Sequence, residues 1–203
     1  YCFAKTIVWG EFLDVKYWVP IKNPKKYEGK EFFLASVTDP YNPQEEEFRR
    51  TRALLEELKG NDIKISIQTK SDLVLRDIDL IKTFPNARVG FSINTLDEDF
   101  HEDMDNAVSI ERRLSAMKKL HDEGIRTTCF ISPIFPGITD VKAIVEQVKN
   151  QCNLVWLENL NLRGMFRPVI IDYIKRKYAE LVPLYEEIYS KGNRDYWEIL
   201  DKE

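Results

Sequence analysis

Cysteine is scarce in this 203-residue chain: Cys2, Cys129 and Cys152 are too few and too scattered for a disulfide framework. Histidine is scarcer still. His101 and His121 have no cysteine or histidine at metal-ligand spacing, so neither heads a zinc-type site, and both read as surface residues. There is no glycine-rich phosphate loop and no Ser-His-Asp arrangement. No run approaches the roughly 20 apolar residues that cross a bilayer, and no signal peptide is visible; a cytoplasmic address and no membrane partner are expected. Positive charge is not in excess. The formal net charge of −4 excludes a general electrostatic footprint for nucleic acid, though a local basic strip stays open. An initiator methionine is also missing, and the opening Tyr-Cys-Phe-Ala-Lys reads as the tail of a motif whose earlier residues lie upstream.

What is present is an alternation. Hydrophobic content of 43% and charged content of 32% suit one globular domain over 1–203. Residues 1–30 are aromatic-rich and carry Pro20 and Pro24, as a segment packed on a barrel or lying across its mouth would. From residue 31 to 164 five β-rich runs (32–38, 63–69, 89–94, 127–132 and 154–160) each end in small polar residues and give way to a helical stretch. Helices are predicted over 42–59, 72–84, 97–104, 109–123 and 140–150, then over 168–190 and 196–200 in a C-terminal helical segment, 165–203. Strands alternating with helices imply right-handed βαβ units, a parallel sheet and an α/β fold. In such folds the strand C-termini open into one mouth where ligands sit. A core needs none of the polar groups found there, so their recurrence points to an enzyme on a β/α-barrel rim.

Each polar group also has a plainer reading. Pro40 and Pro43 stiffen the turn after Thr38 and Asp39 and hold both at the mouth, where a carboxylate suits an ammonium group; Asp39 or Asn42 could equally cap the next helix. Lys70, directly after an Ile-Lys-Ile-Ser-Ile run, would look into the mouth toward a carboxylate or phosphate, although a lone lysine is usually solvated. Ser92 and Asn94 alternate with Phe91 and Ile93 on one strand face, as ribose-binding groups or as satisfied polar groups. Ser132 leaves the fourth run ahead of Pro136-Gly137, which fits a type II turn; Ile134 and Phe135 form either an exposed flat wall or part of a buried loop. Arg76-Asp77 reads as a structural ion pair, and Cys129 and Cys152 as buried free thiols.

Tyr1-Cys2, Thr38-Asp39-Pro40-Tyr41, Thr69-Lys70-Ser71, Ser92-Ile93-Asn94-Thr95 and the Pro133–Asp140 string PIFPGITD occur in this order. The set resembles the radical SAM superfamily, in the branch similar to spore photoproduct lyases and labelled DNA repair photolyase-like. The resemblance covers residues 1–164 and is densest over 110–140. It implies a partial (β/α)6 TIM-like barrel whose first strand lies upstream. It implies a 4Fe-4S cluster held by C-x3-C-x2-C, with Cys2 as the third ligand, Tyr1 as the aromatic before it, and the first two cysteines ahead of Tyr1. Three thiolates leave one iron open. In the family that iron takes the amino and carboxylate groups of S-adenosylmethionine, whose reductive cleavage by an external one-electron donor gives a 5′-deoxyadenosyl radical that acts on substrate.

Position by position, the resemblance assigns Thr38 and Asp39 to the methionine amino group, Lys70 to the carboxylate, Ser92 and Asn94 to the ribose side, and Ser132-Pro133-Ile134 to an adenine-facing wall. Two departures stand out. Ser36 lies where spore photoproduct lyases place a hydrogen-donor cysteine, and an O–H bond is too strong for that step, so thymine-dimer reversal by that route is not expected. An acidic-proline string expected after 92–95 is replaced by Asp103-Met104-Asp105-Asn106-Ala107. Two rival readings remain at this level: a non-redox barrel enzyme using Asp39, Lys70 and Glu158 on a small metabolite, and a silent binding module, with Arg163, Arg167, Lys175, Arg176 and Lys177 as a nucleic-acid contact. For that basic group a solvated helix face is the favoured reading.

Overall fold

The computed structural model describes residues 19–34 and 37–202. Strands β1 (Glu31–Leu34), β2 (Lys64–Thr69), β3 (Asn86–Ser92), β4 (Arg126–Ile134) and β5 (Leu154–Asn159) form one parallel sheet in the order β1-β2-β3-β4-β5. The order never reverses. Right-handed crossovers that always step in the same direction carry their helices to one face and leave the other face to curl inward, which is a partial barrel rather than a doubly wound sheet.

The period-2 alternation of the strands sorts residues between those faces. Ile65, Ile67, Val89, Phe91, Cys129 and Ile131 are buried against the helices, in a core shared with Leu55, Leu58, Met117 and Leu120. Each large apolar side chain buried there contributes roughly 1.5–3 kcal/mol. Ser66, Gln68, Arg88, Gly90, Thr128 and Phe130 alternate with them and line a concave hollow of about 330 Å³ made by strand residues. Phe33 and Trp156, 56% and 60% exposed, stand at its two sides. Gly90 is required by a close approach: a Cβ there would lie 2.1 Å from Gln68 Oε1.

The helices are α1 (Glu45–Phe48), α2 (Arg50–Leu58), α3 (Ile78–Ile81), α4 (Glu98–Met104), α5 (Ile110–Asp122), α6 (Val141–Val148), α7 (Phe166–Lys177), α8 (Val182–Tyr189) and α9 (Asp195–Leu200). Ser109 caps α5 through Arg112 N–H at 3.3 Å, Asp140 caps α6 through Ala143 N–H at 2.9 Å, and Gly124 closes α5 at φ 79°.

Three expected helices are broken. The helix over 42–59 is split at Arg49, which is left-handed at φ 48°. The Glu45 carboxylate accepts the N–H groups of Thr51 and Arg52 at 3.0 and 3.2 Å and so restarts the chain as α2. In place of one helix over 72–84, a 3-10 turn over Asp72–Asp77 precedes α3. The helix over 168–190 stops at Lys177 and resumes at Val182, because Pro183 has no N–H to continue an α-helical ladder and sits instead in the first turn of α8.

A buried ionic group joins the first two β/α units. Asp77, 0% exposed, accepts from Arg52 Nη1 at 2.8 Å and from Arg76 Nε and Nη2 at 2.9 and 2.8 Å. Arg76 Nη2 also donates to Glu45 at 2.7 Å. Arg76-Asp77 is thus the structural ion pair that the sequence suggested. At the C-terminal end of the sheet, a second apolar cluster of Phe100, Phe135, Leu160, Ile170, Tyr173 and Tyr185 fastens α4, α7 and α8 around the strand exits.

Candidate functional site at the strand C-termini

The rim is built around Asp39. Its Oδ1 accepts from Tyr41 N–H at 2.8 Å and from Thr69 Oγ1 at 2.7 Å, and its Oδ2 from Lys70 N–H at 2.7 Å. One carboxylate therefore ties the turn after β1 to the last residues of β2. A carboxylate has about four lone-pair sites, so one remains to face a cation. Neither Asp39 nor Asn42 caps α1, whose N-cap is Gln44; Asn42 Oδ1 accepts from Gln44 N–H at 3.0 Å in the turn ahead of the helix. Thr38 is exposed beside Asp39.

Lys70 stands next to this knot. Its ammonium lies 2.6 Å from Asp105 Oδ2, in the loop between α4 and α5. The Asp105 Oδ1 accepts from Ala107 N–H at 3.2 Å, and Arg113 Nη2 lies 3.6 Å from Oδ2. Burial pushes the Asp105 carboxyl upward, but Lys70, and then Arg113, outweigh it and hold the group below the usual aspartate range. Arg113 is 1% exposed and donates to the carbonyls of Val108 and Ser92 at 2.9 and 3.0 Å. Two hollows meet at Lys70. One, of about 650 Å³, takes in Asp39, Asn42, Ser71 and Asp105; the other, of about 560 Å³, takes in Ser132, Glu158, Asn159 and Asn161.

The remaining rim residues divide. Ser92 is half-buried at the end of β3, and its Oγ accepts from Gln68 Nε2 at 3.1 Å across the gap left by Gly90. Asn94 lies beyond the strand and is buried; its carbonyl accepts from Thr139 Oγ1 at 2.9 Å. Ser132 donates to Glu158 Oε2 at 2.5 Å on the second hollow. Ile134 and Phe135 are both 0% exposed, so the wall reading fails: the Pro136-Gly137 turn, closed by Ile138 N–H to the Phe135 carbonyl at 3.0 Å, folds them into the two apolar clusters. Tyr1, Cys2 and Ser36 lie outside the described residues.

His101 is a correction: it is 5% exposed, with Nε2 3.3 Å from the Ala107 carbonyl, because α4 turns that face inward. His121 is half-buried near Thr127 Oγ1. In the basic group Arg167 is bonded to the Tyr189 carbonyl, Arg176 to Asp172 and Lys177 to Asp103, which favours the solvated-face reading. Among the described residues no three His, Cys, Asp or Glu side chains gather as metal ligands. Burial, with a smaller contribution from Cys152, pushes the Cys129 thiol up to about 12, and burial raises Cys152 as well. At pH 8 about one Cys129 in ten thousand would then be a thiolate. Folded protein should leave Cys129 unlabelled by iodoacetamide, with labelling at that position appearing in guanidinium; rapid labelling of Cys129 itself in the folded chain, read by peptide mass, would contradict the buried geometry.

A consecutively wound parallel sheet, with its helices on one face and polar groups gathered on the strand C-termini, defines a partial β/α barrel. The family model of the Radical SAM superfamily matches residues 1–148, and the chain belongs to that superfamily. An uncharacterized protein of Methanocaldococcus jannaschii is 37% identical over 201 residues, covering 94% of this chain and 74% of its own length. A radical SAM Nα-GlyT isomerase of Pseudomonas phage M6 is 27% identical over 163 residues, 78% of this chain and 31% of that protein. Among solved structures, a spore photoproduct lyase variant with bound AdoMet and dinucleoside spore photoproduct aligns with TM-score 0.52 at 17% identity, over 74% of this chain and 45% of the other. Streptococcus suis SuiB bound to S-adenosylmethionine aligns with TM-score 0.52 at 12% identity, over 73% and 37%. The chain thus spans less than half of either solved protein, and these likenesses show the fold.

Proposed function

We propose that this chain carries the cofactor-binding part of a radical SAM enzyme, with S-adenosylmethionine held along the rim. The observation that carries the reading is the position of Lys70: tied by its own N–H to Asp39, it belongs to both rim hollows. A zwitterionic methionyl end needs a cation beside an anion, and an adenosyl group needs hydroxyl and amide partners next to apolar surface. The residues fit that demand. Lys70 meets the carboxylate; Asp39, with its spare lone-pair site, and exposed Thr38 meet the amino group. Ser92 serves the ribose side, and Ser132, with Pro133 and Leu162 close by, the adenine side. Ile134 is not among them, since its side chain is in the core.

When bound beside a reduced iron–sulfur cluster, S-adenosylmethionine supplies a 5′-deoxyadenosyl radical. The residues described here bind and orient. Asp39 fixes the ends of β1 and β2 relative to each other, and a contact geometry set by rigid strands is more exact than one left to loops. In this reading Cys2 is a cluster ligand; Cys129, buried, and Cys152, half-buried, both with raised thiols, do not fit that role.

The test uses native-length protein, purified without oxygen and loaded with iron and sulfide. Given S-adenosylmethionine and dithionite as the one-electron donor, it should release 5′-deoxyadenosine and methionine. Cluster-loaded protein that binds S-adenosylmethionine without ever releasing either product would overturn the radical reading.

A further inference from the structure

We infer that Asp105 is a positioning residue for Lys70, holding the ammonium ready for the carboxylate of S-adenosylmethionine; the inference rests on the reading of Lys70 given above. A lysine ammonium is a strongly hydrated point charge on a flexible stem, so a rim lysine without a fixed counter-ion sweeps through solvent and must be ordered when a ligand arrives. Here a fixed counter-ion is present. The 2.6 Å contact uses one of the three ammonium donors.

Asp105 is itself immobilised from two sides. Ala107 N–H holds Oδ1, and the guanidinium of Arg113 backs Oδ2. Arg113 is anchored in turn by the Val108 and Ser92 carbonyls. A single buried guanidinium thus reaches two rim positions, the end of β3 directly and Lys70 through Asp105. The loop that supplies Asp105 is the same stretch, 103–107, that replaces the expected acidic-proline string. A sequestering role would need a carboxylate free to leave. One clamped by a backbone N–H and a buried cation is arranged to stay.

The experiment is a double-mutant cycle on S-adenosylmethionine affinity in cluster-loaded protein, read by titration calorimetry, with thermal melts alongside. Asp105→Asn should weaken binding roughly five- to tenfold in the native background, and Asp105→Glu should restore part of it. In a Lys70→Met background the Asn substitution should change affinity less than twofold. An equal loss in both backgrounds would mean that Asp105 supports the fold alone and overturns the inference, as would unchanged or tighter binding by Asp105→Asn. If Asp105→Asn does not fold, the Asp105→Glu arm of the same cycle decides. If Lys70→Met binds as well as the parent, the reading of Lys70 falls and this inference with it. If only the Asp105 arm fails, that reading stands.

Discussion

Lys70→Ala should weaken S-adenosylmethionine binding by one to two orders of magnitude. A charge-assisted hydrogen bond contributes about 1.5–3 kcal/mol, and here the group removed is the one both rim hollows share. The loss should appear mainly in KM. The ammonium meets a carboxylate that is present in ground state and transition state alike, so kcat at saturation should fall much less. The fold should survive, because the knot at Asp39 uses the backbone N–H of Lys70, which alanine retains. Unchanged affinity, measured by calorimetry on cluster-loaded protein, would remove Lys70 from the site.

Asp77→Ala should lower stability by about 3 kcal/mol, the lower end of the range for breaking a buried ion pair. The lower end applies because Arg52 and Arg76, at 23% and 20% side-chain exposure, can turn partly to water once the acid is gone. At roughly 2–4 °C per kcal/mol for a chain of this size, the melting temperature should fall by about 10 °C. Tyr41 is fully buried, and burial first and Asp77 second raise its hydroxyl above the usual tyrosine range, so it stays protonated and uncharged and its loss of Asp77 offsets none of the destabilisation. S-Adenosylmethionine affinity below the melt should hardly change, since Asp77 sits on the helix side of the sheet. A melt shift under 2 °C would show the network to be ornamental.

Much of the fold was legible in the sequence because its signals are local. Alternation along 63–69 and 127–132 marks strands, and Ser109, Asp140 and Gly124 mark helix ends, each through chemistry within four residues. The failures came where a distant or unexpected partner intervened. Nothing near Glu45 announces that its carboxylate will cap α2, so the sequence predicts one unbroken helix over 42–59. The break within 168–190 is different, since Pro183 is a breaker that the sequence itself shows. At the rim, Asp39, Lys70 and Ser132 stood out as polar residues at strand exits. Asp105 and Arg113 did not, because they reach the site from a loop and a helix 35 or more residues beyond Lys70. Gln68 was findable: two positions before Lys70, it shares the inward face with Ser66. Ile134 was open to either outcome, since the sequence alone does not say which way a Pro-Gly turn folds its apolar neighbours.

The strictly consecutive strand order also bears on how the molecule is made. Each strand pairs with the one translated just before it: Glu31 with Lys64, Lys64 with Asn86, Arg88 with Arg126 and Thr128 with Leu154. No pairing closes a loop of more than about forty residues, which keeps the entropic penalty of each addition small. The sheet can therefore grow vectorially as the nascent polypeptide leaves the ribosome, each new β/α unit docking on a finished template. The polar rim, whose contacts run from Asp39 to Glu158, would be completed only when β5 arrives.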